Sequence, residues 1–94
     1  MSPHVLVVDD EDQIRSILAT YLSADGYDVL EAATGAEGLA LATRQDVALV
    51  LLDIGLPDID GLEVLRQLRQ TSDVYVVLVT ARAEEIDRIV GLEV

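Results

Sequence analysis

The chain has 94 residues, 51% of them hydrophobic, and sets 18 Asp and Glu against 6 basic residues for a net charge of −12. A single small domain over residues 1–94 is expected at this length, and the acidity excludes nucleic acid and anionic membrane surfaces as direct ligands of this segment, because phosphate binding draws on clustered Lys and Arg. The absence of cysteine excludes disulfides, thiol catalysis and Cys-ligated zinc; the apolar runs at 47–52 and 74–79 are too short to span a bilayer, and Met1-Ser2-Pro3-His4 carries no basic signal region, so a cytoplasmic protein is expected.

Strand and helix signals alternate from the start. The apolar run at residues 4–8 predicts a strand buried on both faces, followed by the acidic cluster Asp9-Asp10-Glu11-Asp12. Ile14, Ile17, Leu18, Tyr21 and Leu22 then recur at helical spacing, with Asp12 as expected N-cap and Gly26 as the stop. Residues 27–31 are short and mixed in polarity, which fits an edge strand, and Tyr21 and Tyr27 are expected to pack at core or edge. Thr34 and Glu37 have the spacing of a capping box, leading a helix with Ala36, Leu39, Ala40 and Thr43 on one face.

Residues 47–52 predict a third strand that delivers Asp53 to its exit. The Gly and Pro of Ile54-Gly55-Leu56-Pro57 make a loop, and Asp60 caps a helix with Leu62, Leu65 and Leu68 inward and Arg66 and Arg69 outward. Residues 74–79 predict a fourth buried strand ending at Thr80, and a fourth helix begins at Glu84 with Ile86, Ile89 and Val90 on one side. Repeated βα order implies a parallel sheet with right-handed crossovers. His4, the one histidine, precedes the first strand, away from the strand exits, and is assigned no chemical role.

Two acidic groups therefore sit at the C-terminal ends of two apolar runs. If the runs are adjacent parallel strands, Asp9, Asp10 and Asp53 converge where open α/β sheets place their chemistry. Carboxylates about 5 Å apart repel by roughly 3 kcal/mol per pair at an effective dielectric near 20, and a bound cation relieves that repulsion.

At this point the chain resembles the receiver domain of two-component response regulators. The resemblance is carried by Val7-Val8-Asp9-Asp10-Glu11, by Asp53-Ile54-Gly55-Leu56-Pro57-Asp58-Ile59-Asp60-Gly61, and by Leu78-Val79-Thr80-Ala81, in order and at the strand exits. It implies a flavodoxin-like (CheY-like) parallel sheet of order 2-1-3-4. It further implies that Asp53 accepts a phosphoryl group from a sensor histidine kinase, and that Mg²⁺ is shared by Asp10, Asp53 and the Gly55 carbonyl, with Asp9 acting through a water. Thr80 would bond a phosphoryl oxygen, Ala81 would leave room for the donor, and Arg82 would influence water access. Arg15, on the first helix, would be an exposed residue facing the kinase, and an effector domain or downstream protein would receive the signal.

Receivers of this type continue into a fifth strand with a lysine near its exit, a switch aromatic and a fifth helix. This sequence contains no lysine and no such continuation. A fourth strand left as an apolar edge, beside a first helix lacking its neighbour, predicts a homo-oligomer formed through that edge. The missing lysine leaves a second reading, a phosphorylation-independent interaction module of receiver shape. An aspartate-nucleophile phosphohydrolase is disfavoured because Gly55 stands where that family places a second, acid/base Asp, and nucleotide enzymes are disfavoured because no phosphate-binding glycine loop is present.

Overall fold

The computed structural model describes residues 4–44 and 46–79. Within them the chain forms β1 (His4–Val8), α1 (Asp12–Ala24), β2 (Asp28–Ala32), α2 (Gly35–Arg44), β3 (Val47–Asp53), α3 (Gly61–Leu68) and β4 (Tyr75–Val79). All neighbouring strands are parallel and the sheet order is β2-β1-β3-β4. The helix expected from Glu84 onward lies outside the described residues.

Chain direction reverses between β2 and β3. The step from β1 to β2 moves one way along the sheet, and the step from β2 to β3 passes back over β1. Right-handed crossovers then place α1 on one face and α2 and α3 on the other. Alternate residues of the strands supply the second face: Leu6 and Val8 of β1, Val50 and Leu52 of β3, and Ala32 of β2 join Val64 and Leu68 of α3 in one buried cluster. Gly38 lets α2 lie close on this face, since a Cβ there would come within 2.9 Å of a Val8 methyl. Val5 and Val7 are equally buried, so β1 is covered on both sides as its unbroken apolar run predicts.

Helix boundaries show what local chemistry decides. Gly26 takes φ +94° just beyond α1, the left-handed conformation that glycine adopts without penalty. The Thr34 hydroxyl accepts from the Glu37 amide at 3.1 Å while the Glu37 carboxylate accepts from the Ala33 amide at 2.8 Å, closing the expected box at the start of α2. Asp60 caps α3 by accepting from the Leu62 amide at 2.8 Å. The α1 cap differs from expectation. Glu11 holds the N-cap position without a side-chain bond and Asp12 is the first helical residue, because the Asp9 carboxylate already takes the Glu11 amide at 2.9 Å.

Burial departs from the sequence pattern in four places. In α2 the expected face is only partly right: Ala36, Ala40 and Thr43 are exposed, while Gly35 and Gly38 are buried and Leu39, Leu41 and Ala42 pack on the core. The α1 stripe is incompletely covered: Leu18 and Leu22 are half-buried, while Ile14, Ile17 and Tyr21 are exposed, as is Tyr27. Among the described residues the helix packs mainly on β1 and β2. In α3, Val64 and Leu68 point into the core and Leu62 lies outside it, since the helix axis turns the Gly61, Val64, Leu68 line toward the sheet. β4 is buried on one face only: Val76 and Leu78 pack on the core, while Tyr75, Val77 and Val79 are 80%, 48% and 38% exposed. It has β3 as its one strand partner among the described residues.

Candidate acidic phosphoacceptor site

In-register pairing creates the site. Val8 lies opposite Leu52, so the next residues of the two strands, Asp9 and Asp53, leave the sheet side by side at its C-terminal edge. This edge is the crevice where chain direction reverses, the usual position for ligands of open α/β sheets. Asp9, Asp10 and Asp53 each offer a carboxylate oxygen, and these oxygens lie within 4.8 Å of one another. The convergence expected from the two apolar runs is present.

The three carboxylates occupy different environments. Asp9 is buried, 5% exposed; its amide donates to the Ala32 carbonyl at 3.0 Å, and its Oδ1 accepts from the Glu11 amide. Asp10 is exposed, and Asp53 is half-buried with Oδ1 accepting from the Gly55 amide at 3.2 Å. The set grades from a rigid acid to a solvent-facing one around a half-buried carboxylate.

Octahedral Mg²⁺ takes oxygens at about 2.0–2.1 Å, which puts its ligands about 3–4 Å apart, and it retains several waters. Three carboxylate oxygens within 4.8 Å, one of them open to solvent, fit such an ion after small side-chain rotations.

Arg15 supports this edge from below, and its placement corrects the expectation that it is exposed. Only 16% of the side chain is exposed. One guanidinium nitrogen donates to the Asp9 carbonyl at 2.8 Å, a second to Asp12 at 2.5 Å, and Nε to Glu31 of β2 at 3.3 Å. The hydrogen bond it donates to Asp12 raises its already high pKa, and the guanidinium stays charged. Sequence reading missed this role because Glu31 lies 16 residues away and only the β1–β2 pairing brings it near.

The loop after Asp53 is closed at its base by the Gly61 amide, which donates to the Ile54 carbonyl at 2.9 Å. Gly61 is obligatory there: a Cβ would meet the Asp53 carbonyl oxygen and come within 2.7 Å of the Ile54 Cα. Farther along the loop, Asp58 accepts from the Gly35 and Ala36 amides at 2.8 and 3.0 Å. These bonds, Ala36 first, hold its carboxyl below the usual carboxylate range. Thr80, Ala81 and Arg82 lie outside the described residues; Val79, directly before them, pairs with Asp53.

The fold and this acidic strand-exit crevice define a receiver-type α/β module, and comparisons with known proteins agree. The model of the response regulator receiver domain matches residues 5–94. The transcriptional regulatory protein AruR of Pseudomonas aeruginosa is 51% identical over 99% of this chain, which spans 40% of that protein. A CheY-like receiver domain protein from Methanospirillum hungatei superimposes with a TM-score of 0.88 at 32% identity, covering 99% of this chain and 75% of the other. The response regulator TrrA from Thermotoga maritima, solved in complex with Mg²⁺-BeF, superimposes with a TM-score of 0.82 at 38% identity, over 87% of this chain and 72% of that one. The chain belongs to the receiver domain family of two-component response regulators.

Proposed function

We propose that residues 1–94 act as a phosphoacceptor module in a two-component relay, with Asp53 as the acceptor and a sensor histidine kinase as the donor. The observation that carries this is the meeting of Asp9, Asp10 and Asp53 at one sheet edge. An Asp53 carboxylate oxygen attacks the phosphorus of a phosphohistidine, the phosphorus–nitrogen bond breaks, and the imidazole leaves with the electron pair. The product is an acyl phosphate on Asp53. The chain accepts the group and performs no turnover on a separate substrate.

Asp10, Asp53 and the Gly55 carbonyl would hold Mg²⁺, with Asp9 bonding a coordinated water. When bound, the ion offsets repulsion between an anionic nucleophile and an anionic phosphoryl group. Burial and its amide partners keep Asp9 in place, and the Gly55 amide orients the Asp53 carboxylate. Thr80 is proposed to donate its hydroxyl to a phosphoryl oxygen, and Ala81 to leave the donor room.

The module is proposed to work in the cytoplasm, between a kinase and an effector domain or downstream protein. The name of the Pseudomonas relative, a transcriptional regulatory protein, supports an effector of that kind. Homo-association through the β4 edge is part of the proposal.

The test is incubation with Mg²⁺ and a small phosphodonor, read by intact mass. A gain of one phosphoryl group that disappears in Asp53→Ala is expected. An absence of both Mg²⁺ binding at millimolar concentration and mass gain overturns the assignment and favours the second reading, an interaction module without phosphorylation.

A further inference from the structure

Resting on the metal-site assignment above, we propose that Asp58 is a positioning residue for the metal site: by clamping the loop after Asp53 to the start of α2, it sets the direction of the Gly55 carbonyl. The clamp joins parts of the chain more than 20 residues apart through two hydrogen bonds, Gly35 amide to Oδ1 at 2.8 Å and Ala36 amide to Oδ2 at 3.0 Å.

Three features make the loop responsive to this clamp. Its base is closed by the bond from the Gly61 amide to the Ile54 carbonyl, so the segment between cannot drift as a whole. Within it, Gly55 has no backbone preference of its own, and Pro57 has a nearly fixed φ. The orientation of the Gly55 carbonyl is therefore governed by the anchors on either side, the Asp53 carboxylate holding the Gly55 amide at 3.2 Å and Asp58 beyond Pro57.

The second contact between the same parts is steric. A Cβ on Gly35 would lie 3.0 Å from the Ile59 Cβ and 3.1 Å from the Ile59 carbonyl oxygen, so α2 begins in direct contact with the loop. Ile59 and Leu56 also pack against the buried cluster. The Gly35 and Ala36 amides at the N-terminus of α2 thus act on the acidic edge through the one carboxylate they bond, and binding at either end of this connection favours order at the other.

Mg²⁺ titration of the ¹⁵N-labelled chain, with amide exchange at Gly35 and Ala36 as a second readout, tests this. In the wild type, Mg²⁺ is expected to slow exchange of those two amides. Asp58→Ala is expected to weaken Mg²⁺ binding about fivefold or more. Asp58→Asn, which keeps one acceptor oxygen, falls between the two. Thr34→Ala removes a different cap of the same helix, the 3.1 Å bond to the Glu37 amide, without touching the loop, and is expected to leave Mg²⁺ affinity unchanged. Wild-type affinity in Asp58→Ala overturns the proposal, as does an equal loss in Thr34→Ala, which would make α2 stability the cause. A wild-type chain that binds no Mg²⁺ removes the metal site itself, and the positioning role with it.

Discussion

Single carboxylates in this protein differ by what they accept. Glu63 takes hydrogen bonds from Arg66 and Gln67, which pull its pKa down from 4.5 to about 2, and the Ala36 and Gly35 amides lower that of Asp58. A carboxylate with a depressed folded pKa contributes stability above its unfolded pKa, and loses it as pH falls through the folded one. For Glu63 the loss therefore runs from pH 4.5 down to about 2. Urea unfolding midpoints measured at about pH 5 and about pH 3 should fall on acidification, and Glu63→Gln should flatten that fall. An equal slope in the variant would show that other groups carry the acid sensitivity. Legibility at this scale was uneven. The Thr34–Glu37 box and the Asp60 cap follow from spacing, since their partners lie within four residues. The contacts of Arg15 with Glu31 and of Asp58 with Gly35 and Ala36 did not, because strand pairing and loop closure bring those partners near.

Among the elements, the β3–loop–α3 unit carries the tightest constraint. Gly61 approaches the backbone of Asp53 and Ile54 so closely that any side chain forces the loop off the strand. Gly61→Ala is expected to destabilise the fold by about 1–3 kcal/mol, the range for overpacking where backbone must move. Urea denaturation measures this, and an unchanged midpoint would mean that the loop relaxes without cost. β1, β3 and β4 were legible because apolar runs of five to seven residues bounded by turn chemistry have few alternatives, and β2, mixed in polarity, was read as an edge strand, which it is. Which helix residues face inward was less so. In α3 Leu65 and Leu68 face the core as the pattern predicts, while the close approach of Gly61 to the strand brings Val64 inward and leaves Leu62 outside.

Among the described residues, one face of the sheet is well covered and the other only partly. Leu6, Val8, Val50 and Leu52 lie under α2 and α3, whereas Tyr75, Val77 and Val79 of β4 are exposed on the other face, as are Ile14, Ile17 and Tyr21 of the α1 helix that packs there. Association through this apolar β4 edge is expected to appear in sedimentation as a species heavier than the monomer whose fraction rises with concentration. Val77→Lys should reduce it. A monomer at high concentration would count against edge pairing. The net charge of −12 opposes association at long range, so added salt should increase it by screening.

By itself the sequence determined the alternation of strands and helices, the parallel sheet and the arrival of acidic residues at two strand ends. These are consequences of local periodicity and of the right-handed crossover, and neither requires knowledge of distant contacts. Tertiary structure alone decided that Asp9, Asp10 and Asp53 offer oxygens within 4.8 Å, because that distance depends on β1 and β3 being neighbours in register. It also brought Glu31 to Arg15 and joined Asp58 to α2, since a hydrogen bond needs its partners within about 3 Å. No local pattern encodes the approach of residues that far apart in the chain.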